Sequence, residues 1–398
     1  AVKTSVDDNH SRLLILESIV TQLQTTLTNT QNDLANANTT INTLQTDLTT
    51  TQNSLDTANN NISTLQTDLS SVENNSVLEL DGLLRYALIN GHDTAEFTAT
   101  NVQINDGSGN TGGMVNGLGN LTIGYNESSN SAPEFCSDPQ YDNQIDCENN
   151  SEIWDRNVRR GSHNLIVGQF NSYDDYGSFI SGQFNIVNAF FANVSGGLNN
   201  IASGNASSVS GGRSNIASRS SSSVSGGRNN TASGSQSSVS GGRNNTASGS
   251  QSSVSGGPEN TASGFQSSVS GGRNNTASGS QSSISGGTEN IASNTYSSVS
   301  GGRNNTASGT QSSISGGDGN IASNIYSSVS GGRTNIASGV HSSVSGGLSN
   351  LASGFFSSVS GGDGNTASGF TSATVSGGRN RTASGTNDWV AGSLFEDQ

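Results

Sequence analysis

The apolar positions of this chain keep two rhythms. Over 13–72 they alternate by threes and fours; over 194–385 one small aliphatic side chain returns every fifteen residues. In the first stretch one row reads Leu13, Val20, Leu27, Leu34, Ile41, Leu48, Leu55, Ile62 and Leu69. The other reads Leu16, Leu23, Thr30, Ala37, Leu44, Thr51, Ala58, Leu65 and Val72. Nine unbroken heptads predict an α-helical coiled-coil stalk over 13–76, after a polar tail at 1–12. The outer positions are Thr, Asn, Gln and Ser, indifferent helix formers, so the seam must hold the helix and copies must associate. No Lys or Arg lies between Arg12 and Arg85, which removes opposite-charge bridges beside the seam. Leu with small or polar partners leaves the number of strands open. At 1.5 Å per residue, 13–72 spans roughly 90 Å.

The second rhythm is the sentence Ser-Ser-Val-Ser-Gly-Gly-x-x-Asn-x-Ala-Ser-Gly-x-x. Its anchor falls at Val194, Val209, Val224, Val239 and onward to Val359, then at Val375 after one extra residue. A short fixed period signals a solenoid. Each copy offers two runs of about four residues, Ser-Val-Ser-Gly and x-Ala-Ser, split by turn residues, so each is one coil of an all-β parallel solenoid. Alternation places the Val/Ile anchors and the alanines (Ala217, Ala232 and their equivalents) inside, with the flanking serines outside. The Gly after Ala-Ser is replaced by Asn294 and Asn324, which predicts a left-handed corner there, with Arg219 a misfit. Asn185, Asn200, Asn215, Asn230, Asn245 and so on to Asn365 should stack their amides about 4.8 Å apart as a ladder that Arg381 ends.

The same frame reaches back to Leu121-Thr-Ile-Gly124-Tyr-Asn, Leu165-Ile-Val-Gly168-Gln-Phe-Asn and Phe179-Ile-Ser-Gly182-Gln-Phe-Asn. The solenoid therefore covers 121–385, with an insert at 127–163 holding Cys136, Cys147, Trp154 and the run Arg156, Arg159, Arg160. Before it, 77–120 is a transition and cap: an apolar knot of Leu78, Leu80, Leu83 and Leu84, then a strand over 95–104 with a bulge near Thr100. After it, 386–398 brings Trp389 and Phe395 to cover the last coil. Sixteen coils would make a rod of roughly 75 Å.

With 29% apolar and 5% aromatic residues, the composition alone would indicate disorder. The repeat overturns that, because stacked layers cover one another. The net charge of −15 is uneven: 194–385 carries nine Arg against Glu259, Glu289, Asp318 and Asp363, so the remainder is strongly acidic. No run of about 20 apolar residues predicts a membrane span. The start at Ala1 suits a processed, secreted protein, extracellular or at a cell surface. Cys136 and Cys147 read as a disulfide rather than a metal site.

Chemistry is sparse. His10, His92, His163 and His341 are scattered, so no catalytic group, metal centre or cofactor is expected. Asp174-Asp175 and Asp106-Gly-Ser-Gly-Asn110 read as solvated loops rather than calcium ligands. Arg213, Arg228, Arg243 and Arg273, with Arg303, Arg333 and Arg379, form a candidate polyanion stripe. Solubility and edge protection explain that stripe more simply, with Glu259 and Glu289 relieving repulsion. The turn residues Phe265, Tyr296, Ile325, Tyr326, Val340, Phe355, Phe356 and Phe370 are a candidate contact strip, either between protomers or toward a receptor. So is the outer row Ile201, Ile216, Ile291, Ile321, Ile336 and Leu351. No feature calls for a nucleic-acid partner.

The Ser-Val-x-Gly … Asn-x-Ala-x-Gly frame resembles the head repeats of trimeric autotransporter adhesins, and it covers 121–385. That resemblance implies a left-handed parallel β-roll, a homotrimer joining coiled-coil stalk to head, and adhesion to a surface glycan or a host or matrix receptor. The family's usual period is one residue shorter, its stalk does not precede its head, and no C-terminal membrane barrel is expected here, so self-anchoring in an outer membrane is not implied. Phage tail fibres offer a looser likeness. A self-assembling extracellular filament, with one subunit's tail or stalk docking on the next, is the alternative, and an ice-binding solenoid a third, weakened by the Ile interruptions of its Thr row.

Overall fold

The computed structural model describes residues 2–73, 83–128, 134–136, 141, 143–150, 152–155 and 158–391, in two units, 1–102 and 103–398. In the first unit, α1 (Val2–Glu73) is one 72-residue helix with no buried residue. It runs through the expected tail. The heptad rows lie open, from 46% exposure at Val20 to 69% at Leu48. Threonine hydroxyls along the helix donate to the carbonyl four residues back, as Thr30 does to Thr26 (2.8 Å) and Thr51 to Asp47 (2.8 Å).

Leu78 and Leu80 lie outside the described residues. Beyond them, β1 (Leu84–Ile89) and β2 (His92–Phe97) form an antiparallel hairpin closed by Asn90-Gly91. Both turn residues have positive φ, 52° and 81°, which a two-residue hairpin turn requires and Asn-Gly supplies. The expected strand over 95–104 is corrected: it ends at Phe97, and Ala99 turns at φ 53°. The parity break near Thr100 marks the end of pairing, not a bulge.

The second unit is a parallel β-solenoid whose first coil begins with β3 (Leu121–Ile123), paired with Leu165–Gln169. One sheet stacks the anchor strands (Asn193–Val194, Ser208–Val209 and onward), and a 15-stranded sheet stacks the x-Ala strands from Ser172–Tyr173 to Thr382–Ala383. From Asn193 onward the strands are two residues long rather than four, because the glycines and serines around them turn the chain. Every partner sits one copy away, as in Val209↔Val224 and Ala217↔Ala232. The anchors and alanines are buried almost completely, and they form one thin continuous core. A third line of parallel bridges, which the two-run reading lacked, follows the arginine row: Leu198↔Arg213↔Arg228↔Arg243↔Pro258. Arg243 and Arg273 donate their N–H groups to Gly257 and Gly287 (3.1 and 2.9 Å), whereas Pro258 between them has none to give.

Two further expectations change. None of the glycines after Ala-Ser is left-handed; positive φ falls instead at the second Gly of each pair, at the residue two beyond it, and two residues past the supposed corner. Gly204 and Gly234 are glycines because the next coil passes too close: their N–H groups reach Ala217 and Ala247 (3.4 and 3.2 Å), and a Cβ would strike the backbone of Arg219 and Gly249. The N–H groups of Gly204 and Gly234 also bond the serine hydroxyl three residues on, and at Arg219, Asn294 and Asn324 that bond alone is made. Trp389 is no cap. Trp389–Val390 pairs with Thr374–Val375 as one more anchor strand, and Trp389 stays 65% exposed. Phe395 lies outside the described residues.

The insert leans on the solenoid. Cys136 and Cys147 are disulfide-bonded with Cα atoms 5.7 Å apart, joining β4 (Phe135–Cys136) to α2 (Gln144–Asn149). β4 pairs antiparallel with β5 (Trp154–Asp155), and the Asn188 amide donates to the Cys136 carbonyl (3.3 Å). Its last residues belong to the roll itself, since Arg159 bridges Tyr173.

Candidate functional site

The solenoid consists of rows, each residue of a row lying one coil, about 4.8 Å, from the next. Four of them carry candidate chemistry.

The asparagine row is structural. Its ladder is not amide on amide: each Oδ1 accepts the backbone N–H of the next asparagine, as Asn215 N–H donates to Asn200 (3.0 Å) and Asn245 to Asn230 (3.0 Å). From Asn200 to Asn365 each Nδ2 donates to two glycine carbonyls, one in its own coil and one in the next, Gly211 and Gly227 for Asn215. The row starts at Asn126 and ends where Arg381 N–H bonds Asn365 Oδ1 (2.9 Å). All of these asparagines are buried, so the row presents nothing to a ligand.

The arginine stripe is largely neutralised from Arg243 onward. Arg243 and Arg273 meet Glu259 and Glu289 (3.6 and 3.8 Å), Arg303 and Arg333 share Asp318 (2.9 and 3.9 Å), and Arg379 meets Asp363 (3.3 Å). Asp318 is held below the usual carboxylate range, first by its hydrogen bonds from Arg303. Arg213 and Arg228 meet no acidic side chain among the described residues, so the cationic part of the stripe is confined to its start.

The turn row changes character along the rod. Gln236, Gln251, Gln266 and Gln281 bond one another side chain to side chain (2.8–3.0 Å). Farther along, the same column holds Tyr326, His341 and Phe356, whose rings stack at 4.5 and 4.8 Å, and Phe355 meets Phe356 edge-on at 4.3 Å. With Ile325 and Phe370 they make an exposed apolar corner. The structure thus joins Tyr326, Phe355 and Phe356 of the expected strip, while Phe265 and Tyr296 stand apart in other coils. His341 and the glutamine column were missed, although their fifteen-residue spacing was readable. Ile216 lies on a different surface, the outer face of the alanine sheet, where Ile291 and Ile321 are exposed.

Residues 107–110 are exposed as expected, but the carboxylates of Asp106 and Asp174 are shielded from solvent. Asp174 is bound by both Nε and one terminal nitrogen of Arg160 (2.7 and 2.8 Å), yet burial still lifts its carboxyl above the ordinary value. Burial lifts Asp175 as well. Asp106 accepts the N–H and hydroxyl of Ser108 (2.9 and 2.7 Å), which hold it low, with His163 at 3.6 Å. Arg159 spends its donors on the carbonyls of Asn171 and Glu127 and on the Ser128 hydroxyl. Arg156 lies outside the described residues. Among the described residues, no group of three His, Cys, Asp or Glu side chains is placed to hold a metal ion, and no helix is long and apolar enough to cross a membrane.

No protein-family model matches the chain, and no curated protein matches it.

Proposed function

We propose that this protein is a non-enzymatic extracellular attachment rod, a homotrimer with a coiled-coil stalk and an adhesive solenoid head. The observation that carries the reading is α1: 72 residues, none buried, with an uninterrupted heptad row open to solvent. A helix rich in Thr, Asn and Gln gains little from propensity, so its stability must come from burying that row against other copies. Thr30 and Thr51 enter such a seam without an orphan hydroxyl, because each already bonds its own helix. The number three and the left-handed roll are taken from the resemblance to adhesin heads. The exposed corner of Tyr326, Phe355 and Phe356 is the candidate receptor-facing surface, for a surface glycan or a matrix protein.

Light scattering on the purified protein tests the assembly. The expected mass is three times 40.4 kDa, with discrete stalk-and-head particles in electron microscopy; a monomer would sink the reading. One observation favours the filament alternative. Among the described residues, β3 and the strand Trp389–Val390 are each paired on one side only, leaving a free edge at both ends of the stack. Fibres lengthening with protein concentration would select it.

A further inference from the structure

The corner two residues beyond the second Gly carries a set of asparagines distinct from the buried ladder. Asn229, Asn244, Asn274, Asn304 and Asn380 are all exposed, with φ between 55° and 56°. Each stands two residues before a threonine, Thr231, Thr246, Thr276, Thr306 and Thr382, with no proline between. The residue between, as at Asn230 or Asn245, points inward and is fully buried, so alternation brings the acceptor amide and the threonine to the outer surface together. Where the corner is not asparagine, the outer residue is mostly aliphatic: Ser214 precedes Ile216, Glu289 Ile291, Gly319 Ile321, Thr334 Ile336 and Ser349 Leu351.

We propose that this corner is a row of N-glycosylation sites, each Asn-x-Thr acting as acceptor for a glycan carried on a polyprenyl phosphate or pyrophosphate. In the transfer, the asparagine Nδ2 forms a bond to C1 of the sugar and loses one proton to solvent. The C1–O bond to phosphate breaks, and the lipid phosphate leaves with the electron pair. The inference rests on the extracellular reading above, because the transfer accompanies export.

The coil spacing sets the occupancy. Asn244, Asn274 and Asn304 are two coils apart, about 9.6 Å, with Glu259 and Glu289 in the intervening corners. Asn229 and Asn244 lie on adjacent coils, about 4.8 Å apart, and hydrogen-bond each other at 3.2 Å, so one glycan excludes the other. Of the other Asn-x-Ser/Thr sequences in the roll, Asn205-Ala206-Ser207 exposes its asparagine but buries its serine completely, and three others are closed at the asparagine itself. Asn126 is buried and bonded through both Oδ1 and Nδ2, and Asn120 and Asn193 likewise use both atoms.

The test is glycopeptide mass spectrometry on the protein from its producing organism, with cell-associated and external fractions kept separate. Glycans are expected on Asn274, Asn304 and Asn380 and on one of Asn229 and Asn244 in each molecule, with none on Asn126. Protein recovered outside the cell with these asparagines bare overturns the inference and leaves the attachment reading standing; protein found only inside the cell and bare overturns both. Glycan on Asn126, or on both Asn229 and Asn244 of one molecule, also overturns it. In the same host, Thr246→Val should remove Asn244 occupancy and Thr246→Ser retain it; occupancy unchanged in Thr246→Val counts against the proposal.

Discussion

Asn260 Oδ1 accepts the backbone N–H of Asn275 at 3.0 Å, while Asn260 Nδ2 donates to the carbonyls of Gly256 and Gly272 at 2.8 and 2.9 Å. One side chain thus makes three hydrogen bonds, two of them to the next coil, with no amide atom wasted. Beside a core of Val and Ala, such side-chain bonds add directional order to the backbone bonds that already join the layers.

Asn275→Ala would orphan the Asn290 N–H and remove donors from Gly271 and Gly287. A buried unsatisfied group costs about 1–3 kcal/mol, so a loss of that order is expected. Asn275→Asp should be worse at neutral pH, because a carboxylate then faces two carbonyls, and should partly recover in acid. Hydrogen exchange in coils 260–305 reads both; equal protection in all three proteins would refute the ladder's role.

Neighbouring glycines should differ sharply. A Cβ on Gly256 meets nothing within 4 Å, whereas one on Gly257 (φ 84°) would collide with the Gly272 carbonyl. Gly256→Ala should leave the melting temperature unchanged. Gly257→Ala should lower stability by more than the ~1–3 kcal/mol of backbone strain alone. Gly264→Asn should fall between them, since Asn294 and Asn324 already occupy that row.

Core anchors can grow but not turn polar. Ile284 and Ile314 sit in the anchor row with 1% exposure, so Val269→Ile should be near neutral. Val269→Thr buries a hydroxyl without a partner and should cost about 1–3 kcal/mol in thermal unfolding. A Thr variant as stable as the parent would place that side chain outside.

The helix is expected to depend on association. Leu48→Asn with Leu55→Asn should lower the oligomer mass and erase most of the helical circular dichroism signal, leaving the solenoid's β signal. Because the seam lacks basic neighbours, salt high enough to shorten the Debye length to about 3 Å should not dissociate it. Dissociation by salt would point to an electrostatic interface instead.

Acid should act on the start of the roll with a defined sign. Burial raises Asp174 and Asp175, so their contribution is fully present below the ordinary carboxylate pKa of about 3.9 and is lost as pH rises through their higher folded values. Asp106 and Asp318 are lowered, so theirs is present above that value and lost as pH falls through the folded one. Asp175→Asn should therefore flatten the decline in protection of 158–191 as pH rises from about 4. A steeper decline in the variant would contradict the burial argument.

Several features were legible because they are periodic. The fifteen-residue return of Val and Ala gave the inward face, and the in-register asparagines marked a ladder. The Asn90-Gly91 hairpin was equally readable from its turn residues but was absorbed into a cap. The size of Trp389 suggests a lid, although Val390 beside it keeps the anchor spacing of fifteen from Val375.

By itself the sequence determined the layered architecture, the two inward rows and the heptad stripe, because alternation and period act on every copy alike and leave one consistent stacking. Tertiary structure alone decided which glycines turn left-handed, that the asparagine Oδ1 meets a backbone N–H, and that Arg303 finds Asp318 while Arg213 meets no acid among the described residues. Those outcomes depend on the chain's path around each corner and on which atoms of the next coil then fall within bonding distance, a relation that a repeat length does not encode.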